Sequence, residues 1–188
     1  MKWIVPLLSL GIVASSAVLQ ADDPTSLTIE GYTAQLSYRP GDVVEFHVST
    51  TAGRYAMEIA RLGAGEPKVI WSKTDLPGAS HPIPENASSH GCAWPVSYAV
   101  KVPTDWKSGY YNVRLRASDN GGKYVGRNRR TAEVDVFFIV RPAVPGRDSR
   151  ILLQLCTNTY NAYNNWGGGS LYAYHGRANL QGDRKSVV

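Results

Sequence analysis

From Leu27 to Arg141 the chain alternates apolar and polar residues. Val44, Phe46 and Val48 alternate with Glu45, His47 and Ser49, and Tyr55, Met57 and Ile59 with Ala56, Glu58 and Ala60. Tyr98, Val100 and Val102 repeat the pattern, as do Tyr111, Val113 and Leu115 against Tyr110, Asn112, Arg114 and Arg116, and finally Val134, Val136, Phe138 and Val140. A period of two places successive side chains on opposite faces, so each run predicts a half-buried antiparallel strand. Val69-Ile70-Trp71 supplies a further strand. Arg39-Pro40-Gly41-Asp42 sets Pro and Gly where a type II turn wants them, and Asp119-Asn120-Gly121-Gly122 is a second turn signal. No helical period interrupts the series. The prediction for residues 27–141 is an immunoglobulin-like β-sandwich.

The alternation stops between Lys73 and Pro95. This stretch holds four prolines, His81, His90, Cys92 and Trp94, and its apolar content predicts an ordered, functional loop rather than a disordered one. Residues 142–149, rich in Pro and Gly, read as a linker. Beyond it Ile151 to Cys156 is nearly continuous apolar sequence, the pattern of a strand covered on both faces, as in a parallel α/β sheet. Such a sheet needs several βαβ units. Residues 150–188 are therefore expected to be the first strand and loop of an incomplete α/β domain, and the chain the front part of something longer.

Composition narrows the setting. Residues 1–21 have a charged start, an apolar run and a small residue at Ala21, the layout of a secretory signal peptide. The expectation is an exported protein, periplasmic or extracellular, with no membrane attachment after cleavage. The net charge of +5 comes with a basic cluster from Arg114 to Arg130. No aromatic platform is interleaved there, so the cluster reads as a solvated face and not as a nucleic-acid surface. Two cysteines, Cys92 and Cys156, are too few for a disulfide scaffold and are expected to be separate thiols.

The chemistry concentrates in TNTYNAYNNWGGGSLYAY, residues 157–174. In open α/β sheets ligands bind beyond the carboxyl ends of the strands, and this segment sits there if 151–156 is a strand. A short helix from Thr159 through Asn164 would place Tyr160, Tyr163 and Asn164 on one face. Two phenols side by side permit a ferric site, because a bound hard cation stabilises phenolate. By spacing alone, packed rings with hydrogen-bonded hydroxyls remain the favoured reading.

Taken together, GYTAQLSYRPGDVVEFHVST, IARLG, HPIPENASSHGCAWP, DWKSGYYNVRLRA, GRNRRTAE and ILLQLCTNTYNAYNNWGGGSLYAY resemble the large (beta) subunit-like proteins of N,N-dimethylformamidase, from about Ile29 to about Gly182. The resemblance implies a sandwich followed by an α/β domain that looks like a glutamine-amidotransferase relative, and hydrolysis of a small amide at an iron held by two tyrosines and a glutamate. One tyrosine falls at Tyr160 or Tyr163. Tyr163 is preferred, because the family's pattern admits tryptophan at the place of Tyr160. The other two ligands are expected beyond Val188, so this chain alone would hold no catalytic iron. Within the resemblance His90 is a candidate acid for the leaving amine, and Asn158 and Asn164 could orient the carbonyl or the water. A homo-oligomer or a further C-terminal domain would complete the site. Two alternatives stay open. One is a non-catalytic secreted sandwich that binds carbohydrate or protein. The other is a thiol hydrolase using Cys156 with His175, against which a buried structural Cys156 is the favoured reading.

Overall fold

The computed structural model describes residues 27–84, 86–118, 131–147, 151–152 and 154–163. Among the described residues eight strands form two sheets. The smaller sheet contains β1 (Ile29–Thr33), β3 (Val43–Thr50) and β6 (Tyr98–Lys101), in the order β1-β3-β6. The larger contains β2 (Ser37–Tyr38), β4 (Arg54–Arg61), β5 (Lys68–Pro77), β7 (Gly109–Ser118) and β8 (Thr131–Val140), in the order β2-β8-β7-β4-β5. All pairings are antiparallel except the short β2–β8 pairing, which is parallel. The described residues also form two short helices, α1 (Ala87–His90) between β5 and β6, and α2 (Thr157–Tyr163) after β8.

The alternating positions build the core. Val44, Phe46 and Val48 from one sheet meet Tyr55, Met57, Ile59, Tyr111, Val113, Leu115, Phe138 and Val140 from the other, all buried. Phe138 is the aromatic hub. Its ring lies 5.3 Å from Tyr111, 5.8 Å from Tyr38, 6.3 Å from Phe46 and 6.4 Å from Trp106. The turn at Arg39–Asp42 has the expected geometry: Gly41 takes φ 93°, and the Asp42 amide donates to the Arg39 carbonyl at 3.0 Å. Gly78 ends β5 where the backbone passes the Ala52 carbonyl so closely that a Cβ would sit 2.2 Å from the oxygen.

Three features depart from the sequence prediction. The segment after Trp71 is not yet loop, because β5 runs on to Pro77. This strand is the outer edge of its sheet and its register against β4 shifts twice, which breaks the phase of the alternation. At its other end the apolar segment forms no strand: Ile151, Leu152 and residues 154–156 are outside any sheet, and Ile151 and Leu152 are 86% and 88% exposed. A strand buried on both faces needs neighbouring strands and covering helices, and no described residue supplies them. Finally, α2 starts at Thr157, two residues before the predicted Thr159.

Tyr55 makes a direct test of the core. Its residue is 3% exposed, and its hydroxyl has no hydrogen-bond partner among the described residues. Burial, with Tyr98 adding to it, pushes this phenol up to about 12. Because the folded value lies above the unfolded one, near 10, the neutral phenol's contribution is complete below pH 10 and is lost as pH rises from 10 through about 12. The cost reaches roughly 2–3 kcal/mol at the top of that window. Tyr55→Phe is expected to flatten alkaline destabilisation there while leaving neutral-pH stability equal or higher, as read by urea unfolding at several pH values. A steeper alkaline loss in the variant would contradict this.

Candidate functional site

Helix α2 carries the tyrosines singled out by the sequence. It begins where the Cys156 carbonyl accepts the amides of Thr159 at 3.0 Å and Tyr160 at 3.3 Å. Its first turn has no acidic residue and its last no basic one, so its ends gain nothing from charge at the helix dipole. Tyr160 is 54% exposed and Tyr163 64%. Asn158 lies exposed on the same helix, and Asn164 falls outside the described residues.

The helix touches the outer face of the five-stranded sheet at Phe137. Phe137 points outward because its neighbour Phe138 points into the core. The Tyr160 ring stands edge-on to Phe137 with centroids 6.0 Å apart, and Phe137 stacks on Tyr110 of β7 at 5.0 Å. Burial raises the Tyr110 phenol above its ordinary value, and the Tyr160 hydroxyl nearby adds to this. On the same outer face lies a shallow groove of about 310 Å³, lined by Glu58, Asn112 and Arg114 and by Leu62, Pro67 and Val69. Arg114 makes two bonds to Asp135 at 3.0 and 3.2 Å, and these hold the Asp135 carboxyl below its usual range.

The loop that carries His90 is fixed elsewhere. Tyr32 of β1 and His47 of β3 face outward from the three-stranded sheet, their rings stacked 4.8 Å apart. Buried Trp94 is tied to both. Its amide donates to the Tyr32 hydroxyl at 3.0 Å, and its carbonyl accepts from His47 Nδ1 at 2.7 Å. Its indole N–H donates to the Pro82 carbonyl at 2.9 Å, closing the loop on itself. Cys92, two residues before, is buried, and burial followed by the Glu30 carboxylate pushes its thiol up, which makes it a poor nucleophile.

The structure thus keeps Tyr160 and Tyr163 on one helix and anchors the loop bearing His90 on the opposite outer face of the sandwich. His90 itself is exposed at the end of α1. Among the described residues no group of three His, Cys, Asp or Glu side chains is placed to hold a metal ion. The anionic donors that α2 could offer are its two phenols, which suit a hard ferric ion in kind but not in number. Both cysteines are free, as expected, but Cys156 is exposed where a buried residue was favoured. Its suggested partner His175 lies outside the described residues. Sequence reasoning missed Phe137 and the Tyr32–His47–Trp94 anchor. The alternation that turns Val134, Val136 and Phe138 inward puts Phe137 on the outer face, but nothing in that pattern says what an outward phenylalanine meets.

Comparison with curated proteins finds no match. Residues 56–188 match the family described as N,N-dimethylformamidase beta subunit-like, C-terminal, a span that takes in most of the five-stranded sheet, β6 of the smaller sheet and all of α2, and the chain belongs to that family.

Proposed function

We propose that this chain is part of an exported, iron-dependent amide hydrolase related to dimethylformamidase, in which Tyr163 contributes one phenolate ligand. Family membership over residues 56–188 carries the reading. The choice of Tyr163 is supported by its exposure on the last turn of α2, whereas the Tyr160 ring is engaged by Phe137. When bound, ferric iron supplies Lewis acidity towards an amide carbonyl and acidifies water near neutral pH. The remaining ligands come from outside the described residues. Asn158, exposed in the first turn of the same helix, is available to accept from or donate to the substrate amide. His90 receives no step, since its loop is anchored on the far face of the sandwich. The substrate class is a small amide.

The rival reading, a carbohydrate-binding sandwich, loses its best feature. Tyr110 and Phe137 are the aromatic pair on the outer sheet face, and Tyr160 already stands against Phe137. The experiment is metal analysis of the intact protein from its native source, together with release of amine from a panel of small secondary and tertiary amides. Stoichiometric iron and chelator-sensitive hydrolysis are expected. Iron-free protein that hydrolyses no amide, or does so indifferently to chelators, would overturn the proposal.

A further inference from the structure

A two-turn helix is not stable by itself in water, because too few hydrogen bonds follow the costly first turn. Helix α2 spans Thr157–Tyr163 and lacks favourable charges at both ends. The preceding residues Ile151 and Leu152 are almost fully exposed. A described contact that ties it to the sandwich is the ring contact of Tyr160 with Phe137.

We propose that Tyr110 and Phe137 form an aromatic seat on the outer face of β7 and β8 that holds Tyr160 and thereby positions Tyr163. The geometry has the right parts. Tyr110 and Phe137 stack nearly parallel, at an interplanar angle of 14°, presenting one continuous apolar surface. Tyr160 meets that surface at 62°, the edge-on arrangement in which a ring's positive rim faces another's negative face. The seat is rigid because β7 and β8 pair along their full length, from Gly109↔Val140 to Ser118↔Thr131. Its inner face is locked by Tyr111, Val113 and Phe138, all fully buried. Tyr163 is three residues from Tyr160, so a fixed Tyr160 fixes the direction in which Tyr163 is presented. In this arrangement Tyr160 is a structural residue and Phe137 a positioning residue. That Tyr163 is an iron ligand rests on the reading above; the seat does not.

The test is amide exchange measured by NMR on the intact protein. In Phe137→Ala the protected amides of residues 157–163 are expected to exchange at least about tenfold faster, while those of β7 and β8 stay within about twofold of wild type. Phe137→Tyr, which keeps a ring, should restore the wild-type rates, and Tyr160→Ala should reproduce the acceleration without touching the sheet. Unchanged exchange in 157–163 would overturn the proposal. So would an equal acceleration throughout β7 and β8, since Phe137 would then hold the sheet and not the helix. Iron content of the wild-type protein is read separately: iron-free protein with the expected exchange pattern sinks the catalytic reading and leaves the seat standing.

Discussion

Phe138→Ala lowers the unfolding free energy by about 3–5 kcal/mol, the range for removing a large aromatic from a packed core. The residue is fully buried, and four aromatic rings surround it. Two of them, Tyr38 and Phe46, meet it edge-on, so the loss includes specific ring geometry as well as buried area. Phe46 belongs to the three-stranded sheet and Tyr111 to the five-stranded one, so the cavity opens at the junction of the two sheets. Backbone pairing on both sides of β8 prevents the strand from moving in to fill it. Chemical denaturation in urea should show a midpoint reduced by about 2 M at an m-value near 2 kcal/mol/M. The neighbouring Phe137→Ala, with its side chain on the outer face, should cost far less. Equal losses at the two positions would mean that the alternation of β8 is not what divides core from surface.

That contrast shows where the fold is legible in sequence. Strands β3, β4, β6, β7 and β8 could be read from alternation because one face of each meets the core and the other meets water. β1 could not. Its outward residue Tyr32 is covered by the loop through Trp94, so neither face of the strand is plainly polar. β5 was cut short because its register slips and because an edge strand tolerates polar residues on both faces. The segment Ile151–Cys156 failed in the other direction: an apolar run signals burial, but its partners must come from elsewhere. For the site, the tyrosine spacing placed Tyr160 and Tyr163 on one helix. The alternation already turns Phe137 outward; that Tyr160 stands against it is a tertiary contact with no signal in the local pattern.

Trp94→Ala is expected to release the loop from Gly78 to Ser97 while leaving the sandwich folded. Removing a buried tryptophan costs about 3–5 kcal/mol where the whole structure depends on it. Here the side chain is 5% exposed but lies on the outer face of the three-stranded sheet, outside the central core. It makes the indole bond to Pro82 and ring contacts to Tyr32 and His81, at 5.6 and 6.2 Å. The two backbone bonds, to Tyr32 and His47, survive substitution in principle, but they lose the packing that excludes water from them. The loss should therefore fall on local opening more than on global unfolding. Cys92 reports that opening, because its thiol is buried two residues away. With Cys156 changed to serine to remove the exposed thiol, Cys92 should react with an aromatic disulfide on the order of 100-fold faster in the Trp94→Ala protein. That ratio corresponds to about 3 kcal/mol of lost local stability. A rate unchanged by the substitution would show that the Tyr32–His47 stack and the two backbone bonds hold the loop without the indole. The motif Gly91-Cys92-Ala93-Trp94-Pro95 would then need an explanation other than anchoring.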